Sequence, residues 1–125
     1  MNNNKIMLAY GFEAKERLLL DKLIETKKIP GIKNISSEMS KMKIGEILEG
    51  YKFEIYNDTL PKEKVVIFNN FDDSELDIAI KCLKEISKGI IMAVATPTSI
   101  NWTFGYLIEH LIEEREWYKK NNSSK

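Results

Sequence analysis

Two stretches of this chain recur at a fixed interval. Lys5-Ile6-Met7-Leu8-Ala9-Tyr10-Gly11-Phe12 aligns with Lys64-Val65-Val66-Ile67-Phe68-Asn69-Asn70-Phe71 at an offset of 59. Ile44-Gly45-Glu46-Ile47-Leu48-Glu49-Gly50 aligns with Phe104-Gly105-Tyr106-Leu107-Ile108-Glu109-His110 at an offset of 60. A unit of about sixty residues is therefore expected to occur twice, as residues 5–50 and 64–112 of a single domain. This fixes the architecture more firmly than local propensity does, and it leaves the chemistry open.

Each unit reads strand, helix, strand, helix. In the first, Ile6 to Tyr10 is a short apolar run ending at Gly11, and Glu13 to Lys27 is helical with Leu19, Leu20, Leu23 and Ile24 on one side. Pro30-Gly31 stops that helix, Ile32 to Ile35 is a weaker strand, and Met42 to Gly50 is a short helix after the Ser36-Ser37-Glu38 loop. In the second, Val65 to Phe68 is a β-branched run, and Asp72-Asp73-Ser74-Glu75 carries the acids that complement a helix start. Leu76, Ala79, Ile80, Leu83 and Ile86 form the stripe of that helix, which Lys88-Gly89 closes. The continuous apolar run Ile90 to Ala95 reads as a central strand, and Trp102 to Lys119 as the last helix, with Phe104, Leu107, Ile108, Leu111 and Ile112 inward. Between the units, residues 51–63 are either a linker or an extra edge strand, and residues 120–125 a frayed tail. The expected fold class is α/β: two tandem β-α-β-α units sharing one four-stranded, mainly parallel sheet about a pseudo-twofold axis, with a mixed sheet as the rival.

Nineteen basic residues balance nineteen acidic ones, so the cationic surplus of a non-specific nucleic-acid binder is missing. A single cysteine, Cys82, excludes an internal disulfide, and one histidine, His110, excludes paired-histidine metal motifs. No apolar run approaches the ~20 residues of a membrane span. These observations predict a cytoplasmic protein with no nucleic-acid or membrane partner, no metal and no cofactor.

In open α/β sheets ligands gather at strand carboxyl ends. Gly11 to Glu13, Ser36 to Glu38, Asn69 to Asp72 and Thr96 to Asn101 take that position. Asn69, Asn70, Thr96, Thr98, Ser99 and Asn101 are the candidate ligand-binding groups, with Trp102 as a stacking wall. The competing explanations are ordinary: Thr98, Ser99 and Asn101 are helix-cap types, Asn69-Asn70 is turn chemistry, and Trp102 is a core anchor. His110 reads as part of a solvated helix face and Cys82 as a buried structural thiol. No catalytic residue emerges: Glu13, Glu38, Asp72 and Asp73 are the only acids near strand ends, with nothing to set two of their environments apart.

The second unit carries a resemblance. Phe71-Asp72-Asp73-Ser74-Glu75-Leu76-Asp77, Ala93-Val94-Ala95-Thr96-Pro97-Thr98-Ser99-Ile100-Asn101-Trp102-Thr103 and Leu107-Ile108-Glu109 resemble a small bacterial domain family of unknown function. The likeness covers about the last sixty residues and is preceded by a diverged copy. It implies a bacterial α/β domain and assigns no reaction, cofactor or catalytic residue. Three functions are then open. The first is a non-catalytic module binding a protein partner or itself through Trp117 and Tyr118, exposed aromatics outside the periodic core. The others are a small-ligand or anion sensor at the strand ends, and an enzyme of unknown reaction.

Overall fold

The structure, a computed structural model, describes residues 5–36, 39–50 and 62–122. Among these residues four strands and four helices alternate: β1 Ile6–Tyr10, α1 Ala14–Lys27, β2 Ile32–Ile35, α2 Ile44–Leu48, β3 Val65–Asn69, α3 Asp73–Ile86, β4 Ile91–Val94 and α4 Phe104–Asn122. A 3-10 turn, Ser99–Asn101, precedes α4. Most of the stretch read as linker or edge strand lies outside the described residues, as do Ser37, Glu38 and residues 123–125 of the tail.

The strands form one sheet in the order β2-β1-β3-β4. β1 pairs parallel with β2 and β3 parallel with β4, but β1 and β3 run antiparallel. The sheet is mixed, which overturns the mainly parallel arrangement expected from sequence. The reason is geometric. α1 and α3 pack over one face with Met7, Ala9, Val66 and Phe68, while α2 and α4 cover the other with Leu8, Val65 and Ile67. With these helices in place the two parallel pairs, β1-β2 and β3-β4, meet through β1 and β3 running in opposite directions. Among the described residues β4 is also an edge strand and not the central one its apolar run suggested. That run reflects cover above and below the sheet, and it thins outward from buried Ile91 to exposed Val94.

The register follows the sequence offset. Leu8 lies opposite Ile67, the residue 59 positions on. On the α2/α4 side, Lys43 and Thr103, 60 positions apart, form an isolated antiparallel bridge. The Ile44 N–H donates to the Trp102 carbonyl at 2.9 Å and the Phe104 N–H to the Met42 carbonyl at 2.8 Å. Ion pairs repeat the relation: Lys5 meets Glu75 at 3.1 Å, and Lys64 meets Glu16. In each pair the lysine opens a central strand and the acid sits in the first turn of the other unit's helix. Only an antiparallel junction brings those ends together.

β1 and β3 are buried on both faces, which explains their uninterrupted apolar sequences. The cores are anchored by Phe104, Ile44, Ile47 and Ile108 on one side and by Phe68, Leu20 and Leu83 on the other.

Candidate functional site

Because β3 and β4 are parallel neighbours, their carboxyl ends bring Asn69, Asn70 and the Thr96–Trp102 segment to one end of the sheet. The antiparallel junction sends Gly11 to Glu13 to the opposite end. The four strand-end loops named from sequence therefore do not converge, and neither do the acids Glu13 and Asp72.

Asn69 ends β3 fully buried, in register with Val65 and Ile67 on the α2/α4 face. Asn70 is exposed and adopts a left-handed φ of 63°. Asp72 caps α3: its Oδ1 accepts from the Glu75 N–H at 2.8 Å, and Glu75 Oε1 accepts from the Asp72 N–H at 2.8 Å. The Glu75 amide holds the Asp72 carboxyl below its ordinary range, against the opposing effect of burial and with help from Ser74 and Lys5.

In the next loop the hydroxyls are turned on each other. The Thr96 N–H donates to Ser99 Oγ at 2.9 Å, the Ser99 N–H to Thr96 Oγ1 at 2.9 Å, and the two hydroxyl oxygens lie 3.1 Å apart. Ser99 is buried, and Asn101 Nδ2 donates to the Pro97 carbonyl at 3.3 Å. Ser99 thus shapes its own turn instead of capping α4. That helix begins at Phe104, two residues later than the sequence suggested, with Thr103 Oγ1 accepting from the Tyr106 N–H at 3.2 Å. Thr98 and Asn101 stay exposed.

A crevice of about 290 Å³ opens between α2 and the 3-10 turn, where Ile100 and Asn101 face Lys43, Gly45, Glu46, Leu48 and Glu49. Of the candidate groups named from sequence, Asn101 lines this crevice; the α2 side was not among them, because only tertiary packing brings that helix to the turn. One ammonium faces two carboxylates, and Glu46 Oε1 already accepts from the Lys43 N–H at 2.9 Å. That balance suits a neutral or cationic group better than an anion.

The outer face of α4 is aromatic. Trp102, half-buried against the α2/α4 core, meets Tyr106 edge-on at 5.0 Å and His110 at 5.1 Å. His110 Nε2 lies 3.3 Å from Glu114 Oε1. The histidine is therefore part of an aromatic ladder along the helix, which the sequence reading missed even though its 102, 106, 110 spacing marks one helical face. Trp102 braces that ladder. Further along, His110, Glu113, Glu114, Trp117 and Tyr118 line an open groove of about 440 Å³. Trp117 is 61% exposed and Tyr118 60%. On the inner side Arg115 grips Glu63 through two hydrogen bonds, at 3.0 and 2.8 Å, fixing the helix to the start of β3. α4 continues past Lys119 to Asn122, and Asn121 Nδ2 donates back to the Trp117 carbonyl at 2.8 Å.

Among the described residues no group of three histidine, cysteine or acidic side chains is placed to hold a metal ion. No helix of the described residues is long and apolar enough to cross a membrane. Cys82 is buried between α1 and α3, and burial pushes its thiol up, away from the reactive thiolate.

Residues 64–118, from the residue before β3 to the exposed turn of α4, match a family described only as a domain of unknown function (DUF3783). No curated protein and no solved structure matches the chain. The match spans the second unit, and the family's description names no activity.

Proposed function

We propose that this protein is a non-catalytic interaction module of the bacterial cytoplasm, built by duplication of one β-α-β-α unit, whose contact surface is the outer face of α4. The observation that carries the reading is the pair Trp117 and Tyr118, each about three-fifths exposed on a helix whose other side is anchored. Large aromatics left in water beside a groove are typical binding anchors, because they desolvate much area at small entropic cost. The strand-end hydroxyls favour this reading too, since Thr96 and Ser99 are engaged with each other. The experiment is site-specific photocrosslinking in cells, with the photoreactive residue at position 117 and a control at position 81 on α3. Adducts of discrete mass at 117 and none at 81 are expected. Equal labelling at both positions, or none at either, rejects the module.

A second reading rests on the crevice between α2 and the 3-10 turn, where Asn101 presents an exposed amide beside Lys43 and Glu49. A small neutral or cationic ligand would sit there. Fragment binding followed through backbone amide shifts tests it. Perturbations gathered on 43–49 and 100–101, and lost in Asn101→Ala, support the ligand. Scattered or absent shifts dismiss it.

A further inference from the structure

We propose that the partner for the outer face of α4 is a second copy of this chain, docked antiparallel, with Glu113 of each copy against Lys120 of the other and the two Trp117 rings between them. The inference rests on the reading of that face as the contact surface, and it adds the identity of the occupant. Positions 113, 117 and 120 are spaced four and three residues apart, so they share one helical face. Along that face the order is acid, aromatic, base, spread over about 10 Å of helix.

A surface of this kind is its own complement only when reversed. A parallel copy would set acid on acid and base on base, whereas an antiparallel copy makes two equivalent Glu113–Lys120 pairs about a twofold axis near Trp117. The axis closes the contact on itself and gives a dimer instead of a filament. The groove agrees with this chemistry: it is lined by Glu113, Glu114, Trp117, Tyr118 and His110, an acidic and aromatic set suited to an incoming ammonium. The helix is held for the purpose, by Arg115 on Glu63 behind and by Asn121 on the Trp117 carbonyl at its end. A contact of two or three helical turns is small, so the association is weak and dependent on concentration and salt.

Light scattering on the full chain, from low micromolar to near-millimolar concentration, provides the test. The mass is expected to rise toward two chains with concentration and to fall when salt is added. Glu113→Lys and Lys120→Glu, each alone, should weaken the dimer roughly tenfold or more. An equimolar mixture of those two variants should associate again, because each then offers the charge that the other lacks. Trp117→Ala should stay monomeric, with an unchanged circular dichroism spectrum showing that it is folded. A chain that remains monomeric throughout overturns the proposal, as does a dimer indifferent to these changes. Crosslinked adducts at 117 with a mass other than twice the chain would also overturn self-docking, yet leave the module itself standing. Absence of adducts would remove both.

Discussion

A methyl group built on Gly11 would fall well inside contact distance of the Glu63 carbonyl, and the φ of this residue is +88°. Gly89 is similarly left-handed at +74° but has nothing within 4 Å of the same position. The two glycines separate conformational strain from collision. Gly89→Ala is expected to cost about 1 kcal/mol from backbone strain alone. Gly11→Ala is expected to cost about 3 kcal/mol or more, because the clash is with backbone that cannot swing away. Urea denaturation of both variants measures the difference. The second unit meets the corresponding turn with Asn70, also left-handed and the residue type that best tolerates it after glycine. Glu63 carries a pH signature. Hydrogen bonds from Arg115 hold its carboxyl below the ordinary range, with burial opposing. Its folded pKa lies under its unfolded one, so the stabilisation is complete above the unfolded value of about 4.3 and fades as pH falls through the depressed value. Glu63→Gln should lower stability by up to about 1 kcal/mol at neutral pH and flatten the acid limb in that window. Denaturation midpoints across the acid range will show it.

At the scale of elements, the two ion pairs across the junction differ in burial. Side-chain exposure is 29% and 14% for Lys64 and Glu16, against 47% and 22% for Lys5 and Glu75. Lys64 Nζ also donates to Ser87 Oγ at 3.0 Å. Desolvated charge pairs lose more when one member is removed, so Lys64→Gln is expected to cost about 1 kcal/mol and Lys5→Gln about 0.3 kcal/mol. Thermal melts of the two variants decide the order. The existence and type of the eight elements could be read from the chain, because each has its own period and its own stop: Pro30-Gly31 after α1, Asp72 before α3. Ends were less legible. Trp102 looked like the first helical residue, but the start of α4 is set by Thr103 and by the bridge to Lys43, a partner sixty residues away. Strand direction was not legible at all. The apolar runs Ile6 to Tyr10 and Val65 to Phe68 report that both faces are covered, and they are the same whichever way a neighbour points. The candidate surface divides similarly. Trp117 and Tyr118 stood out as aromatics off the apolar stripe, while the crevice by Asn101 depended on where α2 came to rest.

For the molecule as a whole, the arrangement sets a gradient of protection. β1 and β3 lie between two strands and two helical layers, whereas among the described residues β2 and β4 each pair with a strand on one side only. Amide exchange should therefore be slowest at Met7 to Ala9 and Val66 to Phe68 and markedly faster along Ile91–Val94. Faster exchange in β1 than in β4 would contradict this ordering of stability. The same arrangement bears on synthesis. β1 has Val65–Asn69 as its neighbour on one side, and those residues are translated long after β1 itself. A nascent chain that ends before Lys64 thus presents a bare, greasy strand margin, the kind of template that recruits other unfinished chains. Ribosome-bound chains halted there should be held by a chaperone, and chains long enough to have delivered both β3 and α4 should let it go.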